Sequence, residues 1–469
     1  MTLEFISRRE KIKYQRTFQK EPIYHYLYNY KKIDIDIFQV IIIISSLKMN
    51  SSTNTQFSPL TIEITNLLSK NDKKNQGIFI TPRTIIEKLV QEVTTYTEQK
   101  QLQIQQILEP SCGTCEIVSI LNNSFNNTSI TGIELNSMIF EKIKDIDFGV
   151  CNSIELIKAD FTTYSTENKY DLIVANPPYV VCEKSKVPNN YKALCIGRPN
   201  LFCIFIIHSL YLLNENGVAA FIIPKSFLNS HYYSLVRNYI KSCCSIVKIM
   251  DFDNEFIDTD QSTMGIILHK RIDDTTSTPS ISTSLLCDYS IKLNDNFIFT
   301  TNKQQLEELF AGSTTLEKMG LSVKTGNIVW NEKKDILTSD TSKTLLLYNS
   351  NITKDNTVKI MEFKNNEKKQ YIDIEGSVEP VIVVNRGNGN AAYKLNYALI
   401  NMNTPFICEN HLNVIYSKTI KDKKVMLKTY NTIVESFKNP KTLLFIKLFC
   451  GNNALSKTEL ESIFPIYID

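Results

Sequence analysis

The tetrapeptide Asn176-Pro177-Pro178-Tyr179 has the residue types in this chain that best suit the binding of an amino group. It ends an apolar run that is typical of a buried strand. Proline has no N–H and holds the preceding residue extended, so the carbonyl groups here have few local donors. Asn176 adds a side-chain acceptor, and Tyr179 adds a flat ring for stacking. Taken alone, the same residues could also form a plain turn that ends a strand.

A second candidate is the turn Glu109-Pro-Ser-Cys-Gly-Thr-Cys115, which separates a strand-like run from a helix-like one. Its small residues, together with Pro110 and Gly113, allow a ligand to approach the backbone closely. The pattern G-x-G-x-x-G is absent, so the usual dinucleotide fingerprint does not apply. The turn contains one C-x-x-C pair, but a zinc site needs a second pair. We therefore predict no metal.

Acidic residues also end the next two strand-like runs. Glu134 follows the turn at roughly the 20-residue spacing of an acid that accepts hydrogen bonds from ribose hydroxyls. Asp160 stands beside Phe161, a pair that suits the amino group and the face of an adenine ring. Each acid alone could be a cap or a solvated side chain. Three acids in chain order, one after each run, predict a site for ribose and adenine.

Alternating strands and helices must position these residues. Residues 81–93 predict a helix with Thr81 as N-cap and Pro82 at its first position. Its apolar stripe follows the helical period and consists of Ile85, Ile86, Leu89, Val90 and Val93. Strand-length runs and helical segments then alternate as far as "TMGIILHK" (263–270). This alternation predicts an α/β fold with a doubly wound, mainly parallel sheet, which binds ligands at the carboxyl ends of its strands.

At 469 residues the chain is long enough for two domains. The polar stretch at residues 273–284 is the predicted linker, and short β-like runs predominate after it. We therefore expect one domain at residues 49–272 and another at 285–469. Residues 1–48 form an N-terminal extension of doubtful role, because Met49 opens a polar stretch and every motif with chemical content follows it.

The composition, 43% hydrophobic and 22% charged residues, is that of a soluble globular protein. A net charge of +3 permits nucleic-acid binding but does not require it. The apolar run at residues 37–44 is far shorter than the roughly 18 residues that span a bilayer, so we expect a buried strand and no membrane partner. The eleven cysteines have irregular spacings, which favours reduced thiols in a cytosol-like compartment.

Together, the motifs resemble those of the TaqI-like γ group of S-adenosylmethionine-dependent N6-adenine DNA methyltransferases. The segments that carry this resemblance are TP (81–82), LEPSCGTC (108–115), GIEL (132–135), ADF (159–161), NPPY (176–179), NLFCIF (200–205) and GVAAFIIP (217–224). The resemblance implies a class I methyltransferase sheet in a catalytic domain at residues 49–272, which binds S-adenosylmethionine. It also implies a mixed α+β target-recognition domain at residues 285–469, which binds double-stranded DNA.

The resemblance further implies a role for each matched residue. The residues that it places at the cofactor are Thr81, Glu109, Pro110, Gly113, Glu134, Asp160 and Phe161. Of these, Thr81 and Glu109 lie by the methionine part, and Glu134 holds the ribose. The residues that it places at a flipped-out target adenine are Asn176, Pro177, Pro178, Tyr179, Phe205 and Phe256.

The chemistry of the adenine amino group agrees with these roles. The N6 lone pair is delocalised into the purine ring, so the nitrogen is a poor nucleophile. Two acceptors, Asn176 and the Pro177 carbonyl, favour a pyramidal nitrogen whose lone pair is directed at the methyl sulfonium. Tyr179 stacks on the ring and offsets roughly 1–3 kcal/mol of the flipping cost.

Three alternatives remain open. Enzymes that methylate a glutamine side-chain amide share the NPPY motif, and an adenine in RNA presents the same nitrogen. Cys115 stands where the family usually has glycine, which leaves room for an inactive DNA-binding relative.

In the second domain, Lys333 and Lys334 beside Trp330, and Arg386, are candidate DNA contacts or ordinary surface residues. We expect a monomer. Whether a separate cognate restriction endonuclease is a partner is left open by the sequence.

Overall fold

A computed structural model describes residues 57–69, 77, 81–252, 262–272, 289–293, 295–387, 393–450 and 454–468. The predicted site residue Phe256, the apolar run at residues 37–44 and the linker at residues 273–284 lie outside the described residues.

A seven-stranded sheet forms the centre of the N-terminal part. Its strands are β1 (Gln106–Glu109), β2 (Ser129–Glu134), β3 (Ser153–Lys158), β4 (Tyr170–Ala175), β5 (Leu213–Pro224), β6 (Cys244–Asp251) and β7 (Thr263–Lys270). They lie in the order β3-β2-β1-β4-β5-β7-β6. Strands β1 to β5 are all parallel to one another, whereas β7 is antiparallel to both β5 and β6. The predicted α/β fold with a mainly parallel sheet is confirmed.

Helices cover both faces of this sheet. They are α1 (Pro59–Leu67), α2 (Arg83–Gln99), α3 (Glu116–Ser124), α4 (Ser137–Ile143), α5 (Leu201–Leu212) and α6 (Ser234–Cys243). Strand β4 shows why two cores are needed: Leu172 and Val174 pack with α2 and α3, and Ile173 packs with α5 and α6 on the other face. A strand that is buried on both faces reads as a continuous apolar run. Residues 172–175 (LIVA) form such a run, which ends at Asn176.

The start of α2 differs from the prediction. The helix begins at Arg83, and Pro82 rather than Thr81 occupies the N-cap position. The carbonyl of Pro82 accepts the first turn's amide hydrogens, from Ile85 at 3.0 Å and from Ile86 at 3.4 Å. The hydroxyl of Thr81 is therefore available for a contact elsewhere. The predicted apolar stripe of α2 is fully buried, as expected.

Among its described residues, the C-terminal part contains three smaller sheets. Its strands are β8 (Ser290–Leu293), β9 (Asn296–Phe299), β10 (Leu321–Thr325), β11 (Leu337–Thr338), β12 (Thr344–Leu347), β13 (Tyr371–Ile372), β14 (Val381–Asn385), β15 (Tyr397–Ile400), β16 (Phe406–Cys408) and β17 (Leu412–Ser417). Their orders are β8-β9, β10-β17-β14-β15 and β11-β13-β12-β16. The helices are α7 (Lys303–Phe310), α8 (Lys423–Lys438), α9 (Pro440–Phe445) and α10 (Lys457–Ser462).

A buried arginine joins the two parts. Arg237 on α6 donates from Nε to the carbonyl of Phe297 at 2.6 Å, across the junction with β9. The same guanidinium donates to the carbonyls of Phe227 and Ser230, each at 2.9 Å, and to that of Asn229 at 3.4 Å. Burial lowers the pKa of Arg237 to about 9. The side chain thus satisfies carbonyl groups of both parts at once.

Two further bonds cross the same junction. Glu459 on α10 accepts from the backbone N–H of His231 at 3.0 Å. The side-chain amide of Asn229 donates to the carbonyl of Phe449. The loop between β5 and α6 is therefore tied to the C-terminal part through several independent contacts.

We predict that Arg237→Lys lowers the free energy of unfolding by about 3 kcal/mol or more. A lysine ammonium cannot reproduce the planar set of donors, so buried carbonyls would lose their partners. Arg271→Lys is the matched control, because the exposed Arg271 also donates to three carbonyls, at 2.6 to 3.1 Å. It should cost less than about 1 kcal/mol in the same urea titration, since water can replace the lost donors. Equal losses for the two variants would contradict this account.

Over the described parts of the chain, we find no helix with the length and apolar character needed to cross a membrane.

Candidate active site

The sequence-predicted acids and the Asn-Pro-Pro-Tyr segment meet at one edge of the central sheet. Glu109 is the last residue of β1, and Glu134 is the last residue of β2. Asp160 follows β3 by two residues, and Asn176 comes directly after β4. Because β3, β2, β1 and β4 are consecutive neighbours, these four strand ends lie side by side. This is the edge at which open parallel sheets bind ligands.

Glu134 shapes the turn that follows β1. One carboxylate oxygen accepts from the N–H of Gly113 at 2.9 Å, and the other accepts from the N–H of Asn136 at 2.6 Å. The N–H of Cys112 also donates to the carbonyl of Ile133 at 2.8 Å. Burial raises the pKa of Glu134, and these backbone bonds partly oppose that rise. The turn is thus fixed to the end of β2 before any ligand arrives.

Glu109 is the least satisfied polar group at this edge. Its side chain is 1% exposed, and its Oε2 atom has no hydrogen-bond partner among the described residues. Burial first, and the negative charge of Glu134 second, raise its pKa well above the ordinary range. A buried carboxyl group with an unused oxygen suits a cationic ligand group, which would compensate the cost of its ionisation.

Hydrogen bonds connect the turn after β1, the Asn-Pro-Pro-Tyr segment and the start of α2. The hydroxyl of Ser111 donates to the backbone carbonyl of Asn176 at 3.2 Å. The side-chain amide of Asn176 donates from Nδ2 to the hydroxyl oxygen of Thr81, which is buried. Thr81, Asn176 and the turn that begins at Glu109, which the family resemblance assigns to cofactor and target, are therefore joined by hydrogen bonds.

The hydroxyl of Tyr179 is directed into the protein. It lies 2.8 Å from both Asn176 Oδ1 and the carbonyl oxygen of Ile222 on β5. Burial raises the pKa of Tyr179 well above its usual range, so the group stays a donor. The ring packs edge-on against Phe202, with 6.2 Å between centroids. Gly77 has its α-carbon so close that a Cβ atom there would lie 3.0 Å from the backbone nitrogen of Tyr179.

The predicted aromatic residues form a cluster behind the end of β3. The rings of Phe161 and Phe205 are 4.9 Å apart, and the ring of His208 is 4.7 Å from that of Phe161. Asp160 accepts at Oδ1 from the backbone and side chain of Thr162, at 2.9 and 2.7 Å. Phe205 thus contacts the residue that is predicted to hold the cofactor adenine. Its assignment to the target base remains a prediction.

Some residues of this edge were not predicted from the sequence. Ser111 stands within a recognised motif but shows no local sign of its bond to the carbonyl of Asn176. The Ile222 carbonyl and His208 become part of the site only through the neighbouring strand and helix. The imidazole of His208 bonds the Tyr191 hydroxyl at 2.6 Å and the Tyr164 carbonyl at 2.9 Å, and burial lowers its pKa.

Cys115 has a backbone conformation that explains why glycine is usual there. Its φ is +63°, in the left-handed region, and its side chain is fully buried. Both Cys112 and Cys115 are free thiols. The contact with Cys115 and burial raise the pKa of Cys112 well above normal. No group of three or more histidine, cysteine or acidic side chains with metal-binding geometry is found in the described ranges.

We predict that Cys115→Gly yields a more stable protein than Cys115→Ala, by about 1 kcal/mol. Alanine usually exceeds glycine in stability, but an L-residue at positive φ carries a cost that glycine avoids. Both variants lose the thiol, so the comparison isolates the backbone. Thermal unfolding of the two proteins side by side provides the measurement, and a more stable alanine variant would refute the strain.

The candidate DNA contacts occupy different surroundings. Lys333 is exposed, and Lys334 forms an ion pair with Glu367 at 2.7 Å. The ring of Trp330 lies 5.5 Å from the ammonium of Lys368. Arg386 donates to the carbonyl of Asn410 at 3.0 Å. Their roles toward DNA remain predictions.

Comparison with known proteins finds methyltransferases among the similar proteins. Residues 29–257 match the family model described as Eco57I restriction-modification methylase. The chain is 26% identical over 419 residues to the Type II methyltransferase M.CvrRI of Paramecium bursaria Chlorella virus XZ-6E, covering 88% of this chain and 99% of that protein.

Two shorter similarities involve part of the chain. Modification methylase CviBIII of Paramecium bursaria Chlorella virus NC1A is 35% identical over 225 residues, which cover 45% of this chain and 55% of that protein. Release factor glutamine methyltransferase of Clostridium botulinum (strain Hall / ATCC 3502 / NCTC 13319 / Type A) is 29% identical over 170 residues, covering 34% of this chain and 59% of that protein.

Proposed function

We propose that this chain, which carries an Eco57I restriction-modification methylase domain, transfers a methyl group from S-adenosylmethionine to N6 of an adenine in duplex DNA. The observation that carries the proposal is the junction of Asn176 with Thr81 and the Glu109 turn at adjacent strand ends. The similarity to M.CvrRI, which extends over 88% of this chain, supports DNA as the substrate.

The residues at the sheet edge fit the proposed cofactor. The unpartnered oxygen of Glu109 suits the ammonium of the methionine part, because a buried ion pair compensates the desolvation of both charges. Glu134 would hold the ribose, and Asp160 with Phe161 would hold the adenine ring. When bound, S-adenosylmethionine supplies a methyl group on a sulfonium, a strong electrophile.

At the target, the chain supplies acceptors rather than a base. Asn176 Oδ1 and the Pro177 carbonyl would accept hydrogen bonds from the two hydrogens of N6. These bonds would localise the nitrogen lone pair. The Tyr179 ring would stack on the extruded base. Holding the nitrogen in line with the methyl group can account for much of the barrier reduction, because fixed orientation replaces a bimolecular encounter.

The test is base-resolved mapping of N6-methyladenine in DNA from cells that express the chain. Cells expressing Asn176→Ala serve as the control. We expect modified adenines in one short sequence motif, and their absence in the control. Modified cytosines, or no modified DNA base at all in the wild-type cells, would overturn the proposal.

A protein glutamine is the second candidate substrate, because the Clostridium botulinum glutamine methyltransferase is among the similar proteins. Its similarity extends over 34% of this chain, whereas M.CvrRI covers most of the C-terminal part as well. Incubation with labelled S-adenosylmethionine and separate DNA, RNA and protein fractions distinguishes the candidates. Label in DNA supports the first, and label confined to RNA or protein supports an alternative.

A further inference from the structure

We propose that Thr81 is a positioning residue for methyl transfer, because its hydroxyl oxygen fixes the orientation of the Asn176 carboxamide. The inference rests on the proposed function and concerns the same site. It assigns to Thr81 a task other than contact with the cofactor, namely the selection of which end of the amide meets the target nitrogen.

The orientation matters because the two ends of a carboxamide have opposite chemistry. The oxygen accepts hydrogen bonds, and the NH₂ group donates them. Rotation about the terminal torsion of asparagine exchanges the two ends at little steric cost. Only the oxygen can accept from an amino group. The reversed amide would place N–H groups against the N–H groups of the target.

The structure shows the productive orientation. Nδ2 of Asn176 donates to the Thr81 hydroxyl oxygen, which leaves Oδ1 on the side of Tyr179. The single hydroxyl hydrogen of Tyr179 has two acceptors at 2.8 Å, Oδ1 and the carbonyl of Ile222. It can therefore turn fully to Ile222 when the target amino group bonds Oδ1, and no buried donor is left unsatisfied.

Both ends of the bond between Thr81 and Asn176 are held firmly. Thr81 is 7% exposed and has a β-branched side chain, whose χ1 is restricted. Pro82, which follows it, fixes the backbone at the N-cap position of α2. On the other side, the Ser111 hydroxyl bonds the carbonyl of Asn176. A polar group supported in this way is preorganised for its task.

The reversed orientation has one specific support. With the amide reversed, Nδ2 would donate to the oxygen of Tyr179, which would in turn donate to Ile222. Without the Thr81 hydroxyl, the productive orientation would leave Nδ2 unpaired, and the reversed one would satisfy it. Loss of the Tyr179 hydroxyl removes this support. The effects of Thr81 and Tyr179 on the rate should therefore be coupled.

The experiment measures single-turnover methyl transfer to duplex DNA, with both S-adenosylmethionine and the DNA at saturating concentration. Thr81→Val should lower the rate by about 10- to 100-fold, as expected when a reacting group is misplaced. Thr81→Ser, which keeps the hydroxyl, should recover most of the rate. In a Tyr179→Phe background, the fold loss in rate caused by Thr81→Val should be about ten times smaller than in the wild type. The reason is that both side chains bond the Asn176 amide.

The matched control is Thr97→Val, on the helix α2 that follows Thr81. Thr97 is 3% exposed, and its hydroxyl donates to the carbonyl of Thr94 at 2.9 Å. This variant removes a buried threonine hydroxyl far along α2 from the site, so the rate should not change. Equal stability losses with unequal rates would locate the effect of Thr81 at the site.

Two results would overturn the inference. One is an unchanged saturated rate in Thr81→Val with only the KM for S-adenosylmethionine raised, which would make Thr81 a simple cofactor contact. The other is an identical effect of Thr81→Val with and without the Tyr179 hydroxyl. The proposed function fails separately: wild-type protein would then methylate RNA or protein, and the same variants would be compared on that acceptor.

Discussion

Glu109→Gln should lose most of its affinity for S-adenosylmethionine and yet be more stable than the wild type when no cofactor is present. The carboxyl group is buried, and Oε2 has no partner among the described residues, so the empty site carries its desolvation cost without compensation. Removing one partner of a buried ion pair costs about 3–5 kcal/mol. We therefore expect the Kd to rise by a factor of about 10² or more.

The pH dependence of stability gives the sign of this effect. The pKa of Glu109 in the folded chain lies well above its ordinary value of 4.5, because of burial and then the charge of Glu134. Between pH 4.5 and the pKa of Glu109 in the folded chain, the folded state binds more protons than the unfolded state. The free energy of unfolding therefore falls as pH rises through this range. Below 4.5 the destabilisation is absent, and above the folded-state pKa it is complete. Glutamine does not titrate, so this contribution to the slope should vanish in the variant.

Urea unfolding of both proteins at several pH values, without cofactor, measures the stability, and calorimetric titration measures the affinity. Glu141→Gln is the control, since Glu141 is an exposed residue paired with Lys144 at 2.6 Å. That variant should change neither quantity appreciably. A cofactor affinity that is unaffected by Glu109→Gln would remove Glu109 from the cofactor site.

Asn176→Ala should lower the rate of methyl transfer by about 10²- to 10³-fold while cofactor binding persists. This is the loss observed when one preorganised polar contact to a transition state is removed. The variant lacks the side-chain oxygen that would accept a hydrogen bond from the target nitrogen. It also leaves the Thr81 hydroxyl without the Nδ2 donor.

Single-turnover kinetics at saturating S-adenosylmethionine separates this effect from binding. Asn365→Ala supplies the comparison, because Asn365 is an exposed turn residue whose Oδ1 accepts from the N–H of Glu367 at 2.9 Å. Its rate should equal that of the wild type. A raised KM for cofactor as the main effect of Asn176→Ala would mean that Asn176 serves the cofactor rather than the target nitrogen.

The sheet could be predicted because its signals are local. The strands β1, β2 and β4 each contain a short apolar run that gives way to a polar residue, and α2 carries a regular apolar period. Glu109, Glu134 and Asn176 could be placed together for the same reason, since parallel strands direct their carboxyl ends to one edge.

What could not be predicted depends on pairing between distant segments. The run at residues 263–270 reads as a last strand, but β7 lies between β5 and β6 and is antiparallel to both. Thr81 has the composition of an N-cap, and only the arrival of Asn176 shows that its hydroxyl serves another group. Cys243 ends α6, whereas Cys244 begins β6, because the backbone becomes extended at that residue.

The junction at Arg237 has a consequence for how such chains diversify. Its partners are the main-chain carbonyls of Phe227, Asn229, Ser230 and Phe297. Any residue at those positions would supply the same carbonyl group. A C-terminal part of different sequence can therefore keep this contact whichever residue stands at position 297.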